Sequence, residues 1–169
     1  RTISTVGVWA TGNDMNTARS SLGGAGTQTA AIAIAGQYPS KDLVETYDGT
    51  SWTEVADVNT ARQDIGGSGT QTAALIFGGE PIPSTTGELA ESWNNTSWTE
   101  VADLNTARYG LGGNSIGTNT AALCVGGFVA GGTAQVVNEI WNGTSWAETA
   151  NLNLARARLG TFGTTTAAI

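Results

Sequence analysis

The chain has 169 residues, enough for one domain with a buried core, but only 12% of them are charged, about half the usual share. It carries 24 Gly, one Cys (Cys124), one Lys (Lys41) and no His, which excludes Ser-His-Asp and Cys-His catalysis, imidazole metal sites, an internal disulfide and a Cys-based zinc site. The net charge of −7, with no cluster of Lys and Arg, argues against nucleic-acid partners and anionic membrane surfaces.

No apolar run approaches the ~18 residues of a membrane span; the longest, at 30–35, is built of small residues and stops at Gly36. Cys124 lies in such an apolar run and reads as a small core residue. The chain starts at Arg1 without a signal-peptide pattern, as expected of a processed product or a piece of something longer. A Thr/Asn/Gly-rich, Lys-poor, acidic composition suits an extracellular or particle-surface setting.

An internal repeat organises the chain. Trp9, Trp52, Trp98 and Trp146 are separated by 43, 46 and 48 residues, and ten residues after each stands Arg19, Arg62, Arg108 or Arg156. A Gly-Thr-x-Thr-Ala-Ala segment follows each arginine, starting at Gly26, Gly69, Gly117 and Gly163. Each complete copy then runs through an apolar stretch into glycine, as in Phe77-Gly78-Gly79 and Val125-Gly126-Gly127. Self-similarity at such a period marks a repeat architecture.

In chain order, one period reads as β throughout. Residues 43–47 are a short strand, followed by Asp48-Gly49, a two-residue hairpin signal. Residues 52–56 form a second strand, and 57–60, rich in turn formers, carry the chain to the next unit. After Arg62, residues 65–69 are a thin glycine-rich inner strand that allows close approach of neighbouring backbones. Gln71 belongs to a turn, and 72–77 are an apolar strand stopped by the glycine pair. Nothing keeps a 3.6-residue period over three turns, so no helix is expected.

Four short strands per repeat of this length predict an all-β fold, a β-propeller of four-stranded antiparallel blades. The units fall at about 10–52, 53–98, 99–146, and 147–169 together with 1–9, about four blades, of which three are complete and the fourth is built from the two termini. The repeated tryptophans are expected as wedges between blades, with Tyr47, Trp93 and Trp141, five residues earlier, in the same layers. A partial ring, completed by further residues or a second chain, is the rival arrangement.

The residues resemble the kelch-repeat family: Gly78-Gly79, then Trp93 and Trp98, then Arg108, and again Gly126-Gly127, Trp141, Trp146 and Arg156. The first copy departs from the pattern, with Ala35-Gly36 for the double glycine, and Thr5-Val6-Gly7-Val8 replaces the Asp-Gly-Thr-Ser turn near the N-terminus. The phrasing of the repeats is also similar to that of marine bacteriophage tail and surface proteins and some secreted bacterial proteins. The resemblance implies a propeller; the copper-oxidase chemistry of some kelch proteins needs histidine ligands, which this chain lacks.

The repeated arginines either line a central channel and bind an anion, or lock blade to blade by pairing with Asp14, Asp57 or Asp103 or with loop carbonyls; the structural role is favoured. The turn at 48–52 resembles the Asp-box of sialidases but is one residue short, and Asn94 and Asn142 replace the aspartate in two copies. Asn94, Asn95 and Asn142 match the glycosylation acceptor pattern at these same turn positions.

Recognition is expected where copies differ, at 37–42, 80–90, 128–138 and the insertion at 114–117. Tyr38, Tyr109 and Phe128 are candidate ligand contacts, able to stack on sugar rings. Three functions follow: a non-enzymatic module recognising a surface glycan or protein, a structural spacer or decoration, and, well behind, a sialidase-like hydrolase. Neither cofactor nor metal is implied, and assembly into a larger particle fits the setting.

Overall fold

The computed structural model describes residues 12–38, 41–80, 87–111, 117–161 and 163–168. Among them there is no helix; every regular element is a strand. Strands β1 (Gly23–Thr27), β2 (Ala30–Ile34), β3 (Val44–Tyr47) and β4 (Trp52–Val55) form a first antiparallel sheet in chain order. Strands β5 (Gly66–Thr70), β6 (Ala73–Phe77), β7 (Ala90–Trp93) and β8 (Trp98–Val101) repeat it.

The third sheet contains β9 (Gly117–Thr118) and β10 (Ala121–Val125), a small hairpin of β11 (Phe128–Val129) and β12 (Thr133–Ala134) interrupts it, and β13 (Asn138–Trp141) and β14 (Trp146–Thr149) complete it. A last hairpin, β15 (Gly163–Thr164) with β16 (Ala167–Ala168), restarts the pattern. The strands expected at 43–47, 52–56, 65–69 and 72–77 are thus β3, β4, β5 and β6, each within a residue or two. Trp9 and the N-terminal part of the expected fourth unit lie outside the described residues, as do 81–86 and most of the 114–117 insertion.

The turn between β3 and β4 is longer than the two residues expected. Tyr47 pairs with Trp52, so 48–51 form a four-residue loop. The reason is the Asp48 side chain, whose Oδ1 accepts the amides of Thr50 at 2.8 Å and Ser51 at 2.7 Å, a local cap that makes the wider loop self-sufficient. Asn94 and Asn142 do the same, each with both bonds at 2.9 Å. The next residue is left-handed in every copy: φ is 94° at Gly49, 74° at Asn95 and 93° at Gly143.

The amides of Ser51 and then Thr50 hold the Asp48 carboxyl below its ordinary value of 3.8. The folded carboxyl is therefore the stronger acid, and its contribution is present at neutral pH and fades as pH falls through that lowered value. Asp48→Asn keeps both acceptor bonds, so the variant is expected to unfold like the parent at neutral pH and to lose less stability than it in strong acid. Unfolding curves across the acidic range check this.

Two apolar layers hold the three sheets together. Ile32 and Ile34 of β2 and Val44 of β3 pack against Ala74 and Ile76 of β6, Trp93 and Trp98, with Ile65 beside them. On the other face of the second sheet, Leu75 and Phe77 of β6 and Ala90 of β7 meet Ala122, Cys124, Trp141 and Trp146. Alternate residues of β6 therefore enter different layers, which is why 73–77 is continuously apolar rather than alternating. The tryptophans sit in these layers: rings of Trp93 and Trp98 are 5.2 Å apart, those of Trp141 and Trp146 5.3 Å, and Phe77 meets Trp146 edge-on at 4.9 Å. Tyr47 and Trp52 form the matching pair at 5.0 Å on the first sheet, where both are half-buried.

Cys124 is fully buried in the second layer, and burial pushes its thiol up to about 12. With almost no thiolate, the native protein is expected to be inert to a disulfide exchange reagent at mildly alkaline pH and to react at once when denatured. A colorimetric thiol assay with and without denaturant reads the difference.

Candidate functional site

The linker before each sheet is fastened to that sheet by an arginine. Nη2 of Arg19, Arg62 and Arg108 pairs with Oε1 of Glu45, Glu91 and Glu139 at 2.9, 2.8 and 2.6 Å, and all six side chains are at most 1% exposed. The arginines also donate to backbone carbonyls: Ala35 and Leu43, then Leu89, then Gly126 and Val137. The partner acids are thus third-strand glutamates, not Asp14, Asp57 or Asp103. Those aspartates lie on the exposed stretch beside the arginine in sequence, whereas β3, β7 and β13 turn their glutamates inward. Three of the four arginines are consumed in these pairs and do not line a channel; Arg156 is exposed.

Two residues beyond each repeated arginine, all four copies converge. Ser21, Asp64, Gly110 and Arg158 share a left-handed backbone, with φ of 53°, 53°, 58° and 54°. They are linked in series: the Asp64 amide donates to Ser21 O at 2.9 Å, Gly110 to Asp64 O at 2.8 Å, and Arg158 to Gly110 O at 2.7 Å. The next residues, Leu22, Ile65, Leu111 and Leu159, line the same cavity of about 230 Å³. The result is a cavity of mixed character, lined in part by apolar side chains, with Ser21, Asp64, Gly110 and Arg158 as its rim. Three of the rim residues accept a strained backbone that glycine adopts freely.

The rim is electrically polarised. Arg158 Nη2 lies 3.6 Å from Asp64 Oδ2, and the Arg158 side chain keeps 68% of its surface exposed against 13% for Asp64. A pair this open adds little to stability and leaves donor capacity free. The Arg158 guanidinium also lies 5.9 Å from the centre of the Phe128 ring. Phe128 in turn stacks on Tyr109 at 5.4 Å, and the two residues exchange backbone hydrogen bonds.

The three candidate aromatic contacts are therefore differently placed. Tyr109 and Phe128 are half-buried and packed on each other beside the rim, not freely exposed, because the β11–β12 hairpin folds back and Phe128 bridges to Tyr109. Tyr38 is 71% exposed and makes no ring contact with either among the described residues. The sequence reading missed Ser21, Asp64, Gly110 and Arg158. Their only signal was a constant offset from the repeated arginine, masked by four different side chains. The sequence matches no protein-family model and no curated protein.

Proposed function

We propose that the sheets are blades of a kelch-like β-propeller, about four in this chain with β15–β16 beginning the fourth, whose axis passes through the cavity ringed by Ser21, Asp64, Gly110 and Arg158. On this reading the chain is a non-enzymatic recognition module on a virion or other extracellular surface, and it binds a surface glycan or protein at the mouth of that cavity. One observation carries the proposal. Four equivalent positions keep one backbone conformation and one hydrogen-bonding scheme, yet carry a hydroxyl, a carboxylate, no side chain and a guanidinium. A purely structural position would repeat its residue, as the buried arginines do; a position that varies on a constant frame suits recognition.

A glycan array and a pull-down from surface extracts test it. The parent protein is expected to bind a defined glycan or protein, and Arg158→Ala and Phe128→Ala to weaken that binding at least roughly tenfold, the scale of losing a charge-assisted contact or an aromatic anchor. Absence of binding in both formats would instead favour a structural spacer.

A further inference from the structure

The turns between the third and fourth strands of the sheets share one frame and differ in chemistry. They read Asp48-Gly49-Thr50-Ser51, Asn94-Asn95-Thr96-Ser97 and Asn142-Gly143-Thr144-Ser145. In each, the first side chain caps the amides of the last two residues, and the second residue is left-handed. The first and third turns differ in a single group, a carboxylate against a carboxamide. Conversion of Asn142 to aspartate therefore gives a turn that the chain already builds at Asp48.

The third turn is arranged for that conversion. Asn142 Oδ1 accepts the Thr144 and Ser145 amides at 2.9 Å each, which folds the carboxamide forward over Gly143. The same two donors are placed to hold the charge that develops on Oδ1 when a nucleophile adds to Cγ. The Gly143 amide is that nucleophile. It makes no hydrogen bond among the described residues, and it has no side chain to crowd the approach. Asn142 Nδ2 donates to Ser145 Oγ at 3.3 Å, so a hydroxyl stands beside the leaving nitrogen. All four turn residues are exposed to water.

We propose that Asn142 is a self-processing site, at which the folded turn promotes loss of the side-chain amide. Gly143 N attacks Asn142 Cγ, and the new C–N bond closes a five-membered imide. The Cγ–Nδ2 bond breaks, and ammonia leaves with the proton that Gly143 N gives up. Water then adds to one of the two imide carbonyls and opens the ring to aspartate or isoaspartate. Water is the sole co-reactant, and the product carries one more negative charge. The aspartate product regains the cap, as Asp48 does with Thr50 and Ser51 at 2.8 and 2.7 Å.

Asn94 is a control within the same molecule. Its Oδ1 has the same two amides at 2.9 Å, but Asn95 puts a side chain on the attacking residue. Asn94 Nδ2 also makes no hydrogen bond among the described residues, unlike Asn142 Nδ2.

The test keeps the full chain at mildly alkaline pH and follows the amide-to-acid mass shift by peptide mapping. A second sample is held at the same pH in guanidinium. Asn142 is expected to convert at least roughly tenfold faster in the native sample, a modest share of what one placed oxyanion donor supplies. Asn94 should stay intact over the same period. Gly143→Asn should stop the conversion and keep the parent's unfolding midpoint, because Asn95 already occupies that left-handed position with φ of 74°. Ser145→Ala keeps the amide and removes the hydroxyl. It should slow the native reaction severalfold and leave the denatured rate unchanged. Native conversion no faster than denatured, or equal conversion at Asn94, would overturn the inference.

Discussion

Glu91→Ala is expected to destabilise the protein by about 3–5 kcal/mol, the cost of removing one partner from a buried ion pair. The Glu91 side chain is fully buried, its Oε1 lies 2.8 Å from Arg62 Nη2, and it accepts the amides of Asn59 and Thr60. Burial by itself depresses the Arg62 guanidinium's affinity for its proton, and Glu91 is the nearest opposing influence. Without the carboxylate, a desolvated cation and two linker amides lose their acceptor together. Glu91→Gln retains an acceptor and should cost less. Asp57→Ala, at the exposed acid closest to Arg62 in sequence, should fall within about 0.5 kcal/mol of the parent. Urea unfolding followed by tryptophan fluorescence ranks the three; an Asp57 effect as large as that of Glu91 would contradict the pairing.

Trp98→Ala is expected to cost about 3–5 kcal/mol, as for other large aromatic truncations in a core. The ring is 6% exposed, lies 5.2 Å from Trp93 and fills the layer between the first two sheets, and its Nε1–H donates to Ala56 O at 3.1 Å. Truncation opens a cavity between two sheets and leaves that carbonyl without its donor. Trp52→Ala, at the equivalent but half-buried position, should cost clearly less. Thermal or chemical unfolding of the two variants side by side decides it: equal losses would mean that burial, not the repeat position, has been misjudged.

Much of the fold was legible because the repeat shows each strand three or more times. Glycine-rich first strands, apolar second strands and the spaced tryptophans recur in register, and repetition turns a weak local signal into a strong one. Nearness in sequence misled the assignment of partners. Asp57 is five residues from Arg62, whereas Glu91 is 29 residues away; only a folded four-stranded meander brings the third strand over the linker. The signal was present all the same, since the glutamate recurs at a fixed distance from the tryptophan. The turn at Asp48 was misread because a side-chain cap can replace the tight two-residue geometry that Asp-Gly suggests. The cavity rim stayed hidden for the opposite reason: what its four members share is a backbone angle, and their side chains share nothing.

The strapping of three successive linkers onto the sheets that follow them has a consequence for how such a chain can grow. The first sheet offers Ile32, Ile34 and Val44 to the tryptophan pair of the second, and the second offers Leu75, Phe77 and Ala90 to that of the third. Both are aliphatic or aromatic surfaces at matching register, so each works as a generic socket and each incoming unit arrives with its own lock already attached. Coupling of this kind is confined to adjacent units. Between the first three sheets, one socket is thus chemically interchangeable with the next.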